Sequence, residues 1–198
     1  ITFVGKLNKA KGYDLFGQAI TKILKKYPEW KSIVVGDEPR EKHHFSHKNL
    51  TIYNFKENKF VLSLLKKSSI FVACPRWDEP FGRSSLEAAS LGCAVILTNS
   101  GGLLETTNHP IVVKKLDVNS VFREIEKTIL NKTYREKLQK LNYTNFFLSH
   151  QYVSRIIDNV RSMIGPNYSI KKPYINKKSK LKVIHITNFN HRFFGRLQ

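Results

Sequence analysis

The sequence predicts a doubly wound α/β domain, a parallel sheet with helices on both faces, and three observations predict it. Short apolar runs rich in β-branched residues recur at 1–4, 32–36, 50–53, 69–74, 94–97 and 111–113. Between most of them lie stretches with apolar residues at helical spacing, at 13–27, 58–67 and 82–91. The runs are continuously apolar rather than alternating, the pattern required when a strand is buried on both faces.

Each element follows from its residues. Ile1-Thr2-Phe3-Val4 is a strand closed by Gly5. Leu15, Phe16, Ala19, Ile20, Ile23 and Leu24 form one face of the first helix. Ser32-Ile33-Val34-Val35 ends at Gly36-Asp37-Glu38-Pro39. The polar stretch 40–48 holds His43, His44 and His47, but without helical spacing or a partner carboxylate it reads as a loop, not a metal site. Leu50-Thr51-Ile52-Tyr53 is a short strand, and Phe60, Val61, Leu64 and Leu65 mark the next helix. The strand 69–74 is stopped by Pro75. A helix at 82–91, a strand at 94–97, a loop at 99–105 and a strand at 111–113 follow. Three further helices, 117–130, 134–147 and 151–164, are expected to pack against the sheet, with Asp117 and Thr133 as N-caps.

The composition changes after Gly165-Pro166. Residues 166–181 read as a basic linker, and 182–188 restart an apolar strand. The expected organisation is a domain at 1–165, a linker at 166–181, and the start of a second unit at 182–198.

A chain of 198 residues holds one ordinary domain and a tail. Its 41% hydrophobic and 12% aromatic content fit a globular protein, and no apolar run is long enough to span a bilayer. The chain begins at Ile1 without the layout of a signal peptide, so Ile1 reads as an interior residue of a longer protein. Cys74 and Cys93 read as buried free thiols in a reducing, cytoplasmic setting. The formal net charge of +19 comes from lysines spread over almost every segment, without the aromatic interleaving of nucleic-acid binders. The expectation is a solvated lysine-rich surface, no nucleic acid, and peripheral contact with the inner face of an anionic membrane as a further partner.

Ligands of open parallel sheets bind beyond the carboxyl ends of the strands. The unusual loops here all follow strands: 5–12, 36–38, 75–82 and 99–105. Gly5 and Gly12 suit tight turns, and Lys6 and Lys11 bring ammonium groups to an anion. Taken singly, Gly5-Lys6 or Gly101-Gly102 is an ordinary turn and each lysine an ordinary solvated one. The helix opening at Gly82 presents unpaired amides at the positive end of its dipole. Glu79 is aimed outward by the proline after it, and Glu87 lies ~7–8 Å along the helix. Such a site suits a ligand carrying both phosphates and hydroxyls, whereas Glu87 or Arg83 alone is equally an ordinary surface residue.

Glu79-Pro-Phe-Gly-Arg-Ser-Ser-Leu-Glu87, continued by Ala-Ala-Ser-Leu-Gly-Cys-Ala-Val-Ile, resembles the E-x7-E signature of retaining GT-B glycosyltransferases of the GT4-like, glycosyl transferases group 1 family. Phe3-Val-Gly-Lys-Leu with Lys11-Gly12, and Gly101-Gly-Leu-Leu-Glu105, match that family's other donor-side motifs in order and spacing. The resemblance spans about residues 1–164 and implies a Rossmann-like carboxy-terminal GT-B half that binds a nucleotide-diphosphate sugar. It implies a hexosyltransferase-type enzyme of polysaccharide biosynthesis, acting on a glycan or lipid-linked glycan acceptor. It also implies a separate amino-terminal acceptor domain, without which this stretch is inactive, and no metal or other cofactor.

By that resemblance Lys6 and Lys11 bind the diphosphate, Glu79 faces the sugar, and these three carry the chemistry. Gly5, Phe81, Gly82, Arg83, Ser84, Ser85 and Leu86 surround the donor, and Glu87 takes the ribose hydroxyls. Lys6 departs from the arginine common in the family, replacing a fork with a point charge. The tail from Lys182 looks like the beginning of another amino-terminal GT-B domain, implying tandem units. The alternative is a non-catalytic sugar-nucleotide-binding or interaction module of the same fold.

Overall fold

The six apolar runs between residues 1 and 113 become strands in the computed structural model, which describes residues 1–41 and 43–164; the expected linker and strand restart lie outside them. The strands are β1 (Thr2–Val4), β2 (Ser32–Val35), β3 (Leu50–Tyr53), β4 (Ile70–Ala73), β5 (Ala94–Thr98) and β6 (Ile111–Val113). They form one parallel sheet in the order β3-β2-β1-β4-β5-β6. From β1 the chain builds outward through β2 and β3, then returns to lay β4 on the other side of β1. The topological switch point therefore lies between β1 and β4.

The helices are α1 (Tyr13–Lys26), α2 (Asn58–Leu65), α3 (Arg83–Ser90), α4 (Val118–Leu130), α5 (Lys132–Thr144) and α6 (His150–Met163). Alternate strand residues feed two cores. Phe3, Val34, Ile70, Val72 and Ile96 meet Phe16, Ile20 and Leu24 of α1 and Val121 and Ile125 of α4. Val35, Phe71, Val95 and Leu97 point the other way, onto Val61 and Leu65 of α2 and Ala88 and Ala89 of α3. Both faces are thus dry at the central strands β1, β4 and β5, as the continuous apolar runs predict, whereas the edge strand β3 leaves Thr51 and Ile52 exposed.

Two expectations need correction. The cap of α5 is Asn131, whose side chain accepts from the Tyr134 amide at 2.9 Å, rather than Thr133. Asn131 is the single residue between α4 and α5, so its carboxamide reaches the third amide of α5 and Thr133 falls inside the helix. The loop expected at 99–105 contains a 3-10 turn, Gly101–Thr106. Asp117 caps α4 as expected, accepting from the Ser120 amide at 2.7 Å. Of the three terminal helices α4 and α5 contribute buried residues, whereas α6 buries none. One compact unit spans Ile1–Arg155, and α6 leads the chain into a second that begins at Ile156.

Candidate functional site

A cavity of about 580 Å³ opens at the carboxyl ends of β1 and β4. Phe3, Val4 and Gly5 form its β1 wall, and Ala73 and Pro75 its β4 wall. Its position is the switch point, where the diverging loops leave a crevice that side chains do not fill. Lys11, Lys56 and Arg83 bring three cations to the lining, against the carboxylates of Glu79 and Glu87.

Lys11 is held by a knotted turn. Its amide donates to Asn8 Oδ1 at 2.9 Å, the Gly12 amide to Lys9 O at 2.9 Å, and the Arg76 amide to Ala10 O at 2.9 Å. Arg76 in turn pairs with Asp14 of α1 at 2.5 Å, tying this turn to the segment after β4. The Lys11 ammonium reaches across to an ion pair with Glu79 and lies 4.8 Å from the centroid of the Trp77 ring. A cation held over an indole face is attracted by the ring quadrupole as well as by the carboxylate. Beneath it Cys74 Sγ donates to Gly12 O at 3.4 Å, and burial pushes its thiol up to about 12.

Glu79 owes its place to backbone packing. The Gly102 amide donates to Glu79 O at 2.9 Å, and Gly101 lies so close that a Cβ there would fall 2.4 Å from the same oxygen. Gly101 has φ 57°, a left-handed conformation. The glycine pair thus lets the turn after β5 rest on the chain at Glu79 and Pro80, an arrangement that a side chain would prevent.

Arg83, Ser84 and Glu87 reach the cavity from α3, whose N-cap is Gly82. The Ser85 hydroxyl donates to Gly82 O at 2.6 Å, so this serine closes the first turn. Glu87 Oε1 accepts from Asn58 Nδ2, at the start of α2, at 2.8 Å.

The structure therefore brings Gly5, Lys11, Glu79, Gly82, Arg83, Ser84 and Glu87 to one cavity. Phe81, Ser85 and Leu86 are adjacent in the chain but outside its lining, and Lys6 is solvent-exposed and also outside it. The loop 36–38 packs on the loop after β1, the Leu7 amide donating to Asp37 O at 3.2 Å and Asn8 Nδ2 to Glu38 Oε2 at 3.3 Å, and stays outside the cavity lining; Glu38 pairs with Arg40 at 2.7 Å, and that guanidinium holds its carboxyl down to about 2. His43 stacks on Phe45 and contacts Glu41 at 3.1 Å.

Phe55, Lys56 and Asn58 line the cavity although sequence reasoning passed over them. The signal was available. Their segment follows a strand, like the other loops, but β3 is short and its hydrophilic successor contains no glycine.

Residues 1–144 match the model of the Glycosyl transferases group 1 family, and the chain belongs to that family. It carries the Rossmann-like fold of a GT-B carboxy-terminal half. A 2-deoxystreptamine N-acetyl-D-glucosaminyltransferase of Niallia circulans is 30% identical over 149 residues, covering 70% of this chain and 38% of that protein. The carboxy-terminal domain of LpcC, a glycosyl transferase group 1 family protein of Francisella tularensis, superposes with a TM-score of 0.62 at 23% identity. That match covers 72% of this chain and 82% of that domain. Anabaena HepE, crystallised with UDP-glucose, superposes with a TM-score of 0.67 at 16% identity, covering 81% of this chain and 48% of that protein. The chain spans between 28 and 51% of the length of the curated relatives it matches.

Proposed function

We propose that this chain is the donor-binding half of a retaining GT4-like glycosyltransferase that moves a sugar from a nucleotide-diphosphate sugar to a glycan or lipid-linked glycan. The observation that carries the reading is the convergence of Lys11, from the loop after β1, with Glu79, Arg83 and Glu87, from the segment after β4, on one cavity at the switch point. Cations beside free helix amides suit a diphosphate, and two separate carboxylates suit two sets of hydroxyls.

In this reading Glu87 accepts the ribose hydroxyls and the amides opening α3 face the phosphates. Lys11 follows the diphosphate as negative charge develops on the leaving group, and the exposed Lys6 adds its charge from the solvent side. Glu79, released from its ion pair with Lys11, turns its carboxylate to the sugar. Lysines and amides then do the work of charge neutralisation without a metal. The acceptor wall belongs to an amino-terminal GT-B domain, and the unit works in the cytoplasm at the inner face of the membrane.

Calorimetry tests the site. The chain should bind at least one of UDP, GDP and ADP, and Glu87→Ala and Lys11→Ala should each weaken that binding by about tenfold or more, since hydrogen bonds to charged groups contribute roughly 1.5–3 kcal/mol. Unchanged affinity in both variants would place the nucleotide elsewhere. Joined to its amino-terminal half, the protein should transfer sugar from the matching donor; binding without transfer or hydrolysis would make it a non-catalytic module instead.

A further inference from the structure

We infer that Asn58 is a positioning residue that holds the Glu87 carboxylate ready for the ribose diol. The inference rests on the donor-binding reading above and adds to it a residue from a different segment. Asn58 is the first residue of α2, and Glu87 is the fifth of α3, so their hydrogen bond spans two helix openings at the edge of the cavity. Both side chains line it.

The bond has a definite polarity. Only the Nδ2 side of the Asn58 carboxamide can donate to a carboxylate, and it does so to Oε1 at 2.8 Å. Among the described residues, no Lys or Arg pairs with Glu87, and Asn58 is its side-chain hydrogen-bond partner. A lysine in that place would neutralise the carboxylate and compete with hydroxyl donors. A neutral amide instead fixes the torsions of a long side chain while leaving the full charge, and Oε2 whole, for the ligand. Ordering the acceptor beforehand removes an entropy loss that would otherwise accompany binding.

Capping does not explain the placement. The N-cap of α2 is Glu57, whose side chain makes no capping hydrogen bond, and Asn58 directs its amide across to α3 rather than back to its own helix. The side chain is exposed, so packing does not explain it either.

The test uses the full chain, the tightest-binding of UDP, GDP and ADP, and the 2′,3′-dideoxy form of that nucleotide. Wild type should prefer the ribonucleotide. Asn58→Ala should cut the preference by about 3- to 10-fold, the range for one lost hydrogen bond, with the dideoxy affinity unchanged. Asn58→Asp is isosteric but sets a carboxylate against Glu87, so at pH 7.5 it should abolish the preference. The same substitution places an acid in the first turn of α2, where the helix dipole favours it and offsets the repulsion from Glu87, so thermal stability should hold. A structural role would instead move stability and leave the preference intact. An unchanged preference in both variants, or equal losses for both nucleotides, overturns the role of Asn58. No ribose preference in the wild type overturns the reading of Glu87 itself, and the role of Asn58 falls with it.

Discussion

Replacing Gly101 by alanine should damage the site through the backbone of Glu79. An added Cβ would lie 2.4 Å from the Glu79 carbonyl oxygen and 2.9 Å from its amide nitrogen, at φ 57°. The left-handed backbone alone costs an alanine ~1–2 kcal/mol. Relief of the contact needs about 1 Å of separation, because carbon and oxygen ordinarily approach no closer than ~3.3 Å. Gly92→Ala is the internal control: at φ 79° it carries the same backbone strain, but its nearest foreign atom is Tyr143 Cβ at 3.5 Å. Urea denaturation should show both variants destabilised and Gly101→Ala the more so. Calorimetry should then show the ratio of nucleotide-sugar to nucleotide affinity falling by about tenfold or more in Gly101→Ala, because a displaced Glu79 loses its charged hydrogen bond to the sugar, worth roughly 1.5–3 kcal/mol. Gly92→Ala should keep the ratio. If the two variants lose equal stability and keep equal ratios, the glycine pair does not position Glu79.

Three other expectations follow from the structure. Cys74 and Cys93 are fully buried, and desolvation pushes both thiols up to about 12, so neither should react with a disulfide reagent at pH 8 until the chain unfolds; fast labelling of the native chain would contradict the packing. The unfolded chain releases these protons first, near the ordinary thiol value of 9.0, so stability should be full below pH 9 and fall as the pH rises toward 12; Tyr13, pushed to about 12 by burial, acts in the same direction, and a flat stability profile across that range would refute the assignment. Asp117→Ala removes the cap of α4 and should lower the urea midpoint without changing the slope. The Ser120 amide holds the Asp117 carboxyl below its ordinary value, so this contribution is present above the usual carboxylate range and lost as pH falls through the folded value; an alanine variant with a wild-type midpoint at pH 7 would show the cap to be idle.

The architecture was legible because both faces of a parallel sheet are dry, which forces continuous apolar runs at β4 and β5 that no surface element would carry. Helix α1 was legible from its 3.6-residue period, and the cap of α4 from an aspartate placed just before an apolar face. The cap of α5 was not, because Asn131 and Thr133 are both good capping residues and the choice depends on where α4 ends. The site was legible where chemistry and spacing lie in one stretch, as in Glu79 to Glu87. It was illegible where the contribution comes from a polar segment after a short edge strand, as with Phe55, Lys56 and Asn58.

The sequence by itself determined the doubly wound class, the parallel sheet and the stretch that carries the carboxylates, since these rest on burial patterns and local chemistry. Only the tertiary structure decided which side chains meet. It packed the loop 36–38 against the loop after β1, outside the cavity lining, left Lys6 in solvent, paired Lys11 with Glu79 and laid Asn58 against Glu87. The physical reason is that the cavity exists only where β4 returns to the far side of β1. Residues 29 and 68 positions apart, as in the pairs Asn58–Glu87 and Lys11–Glu79, become neighbours there through strand order, and strand order is not encoded in the spacing of any one segment.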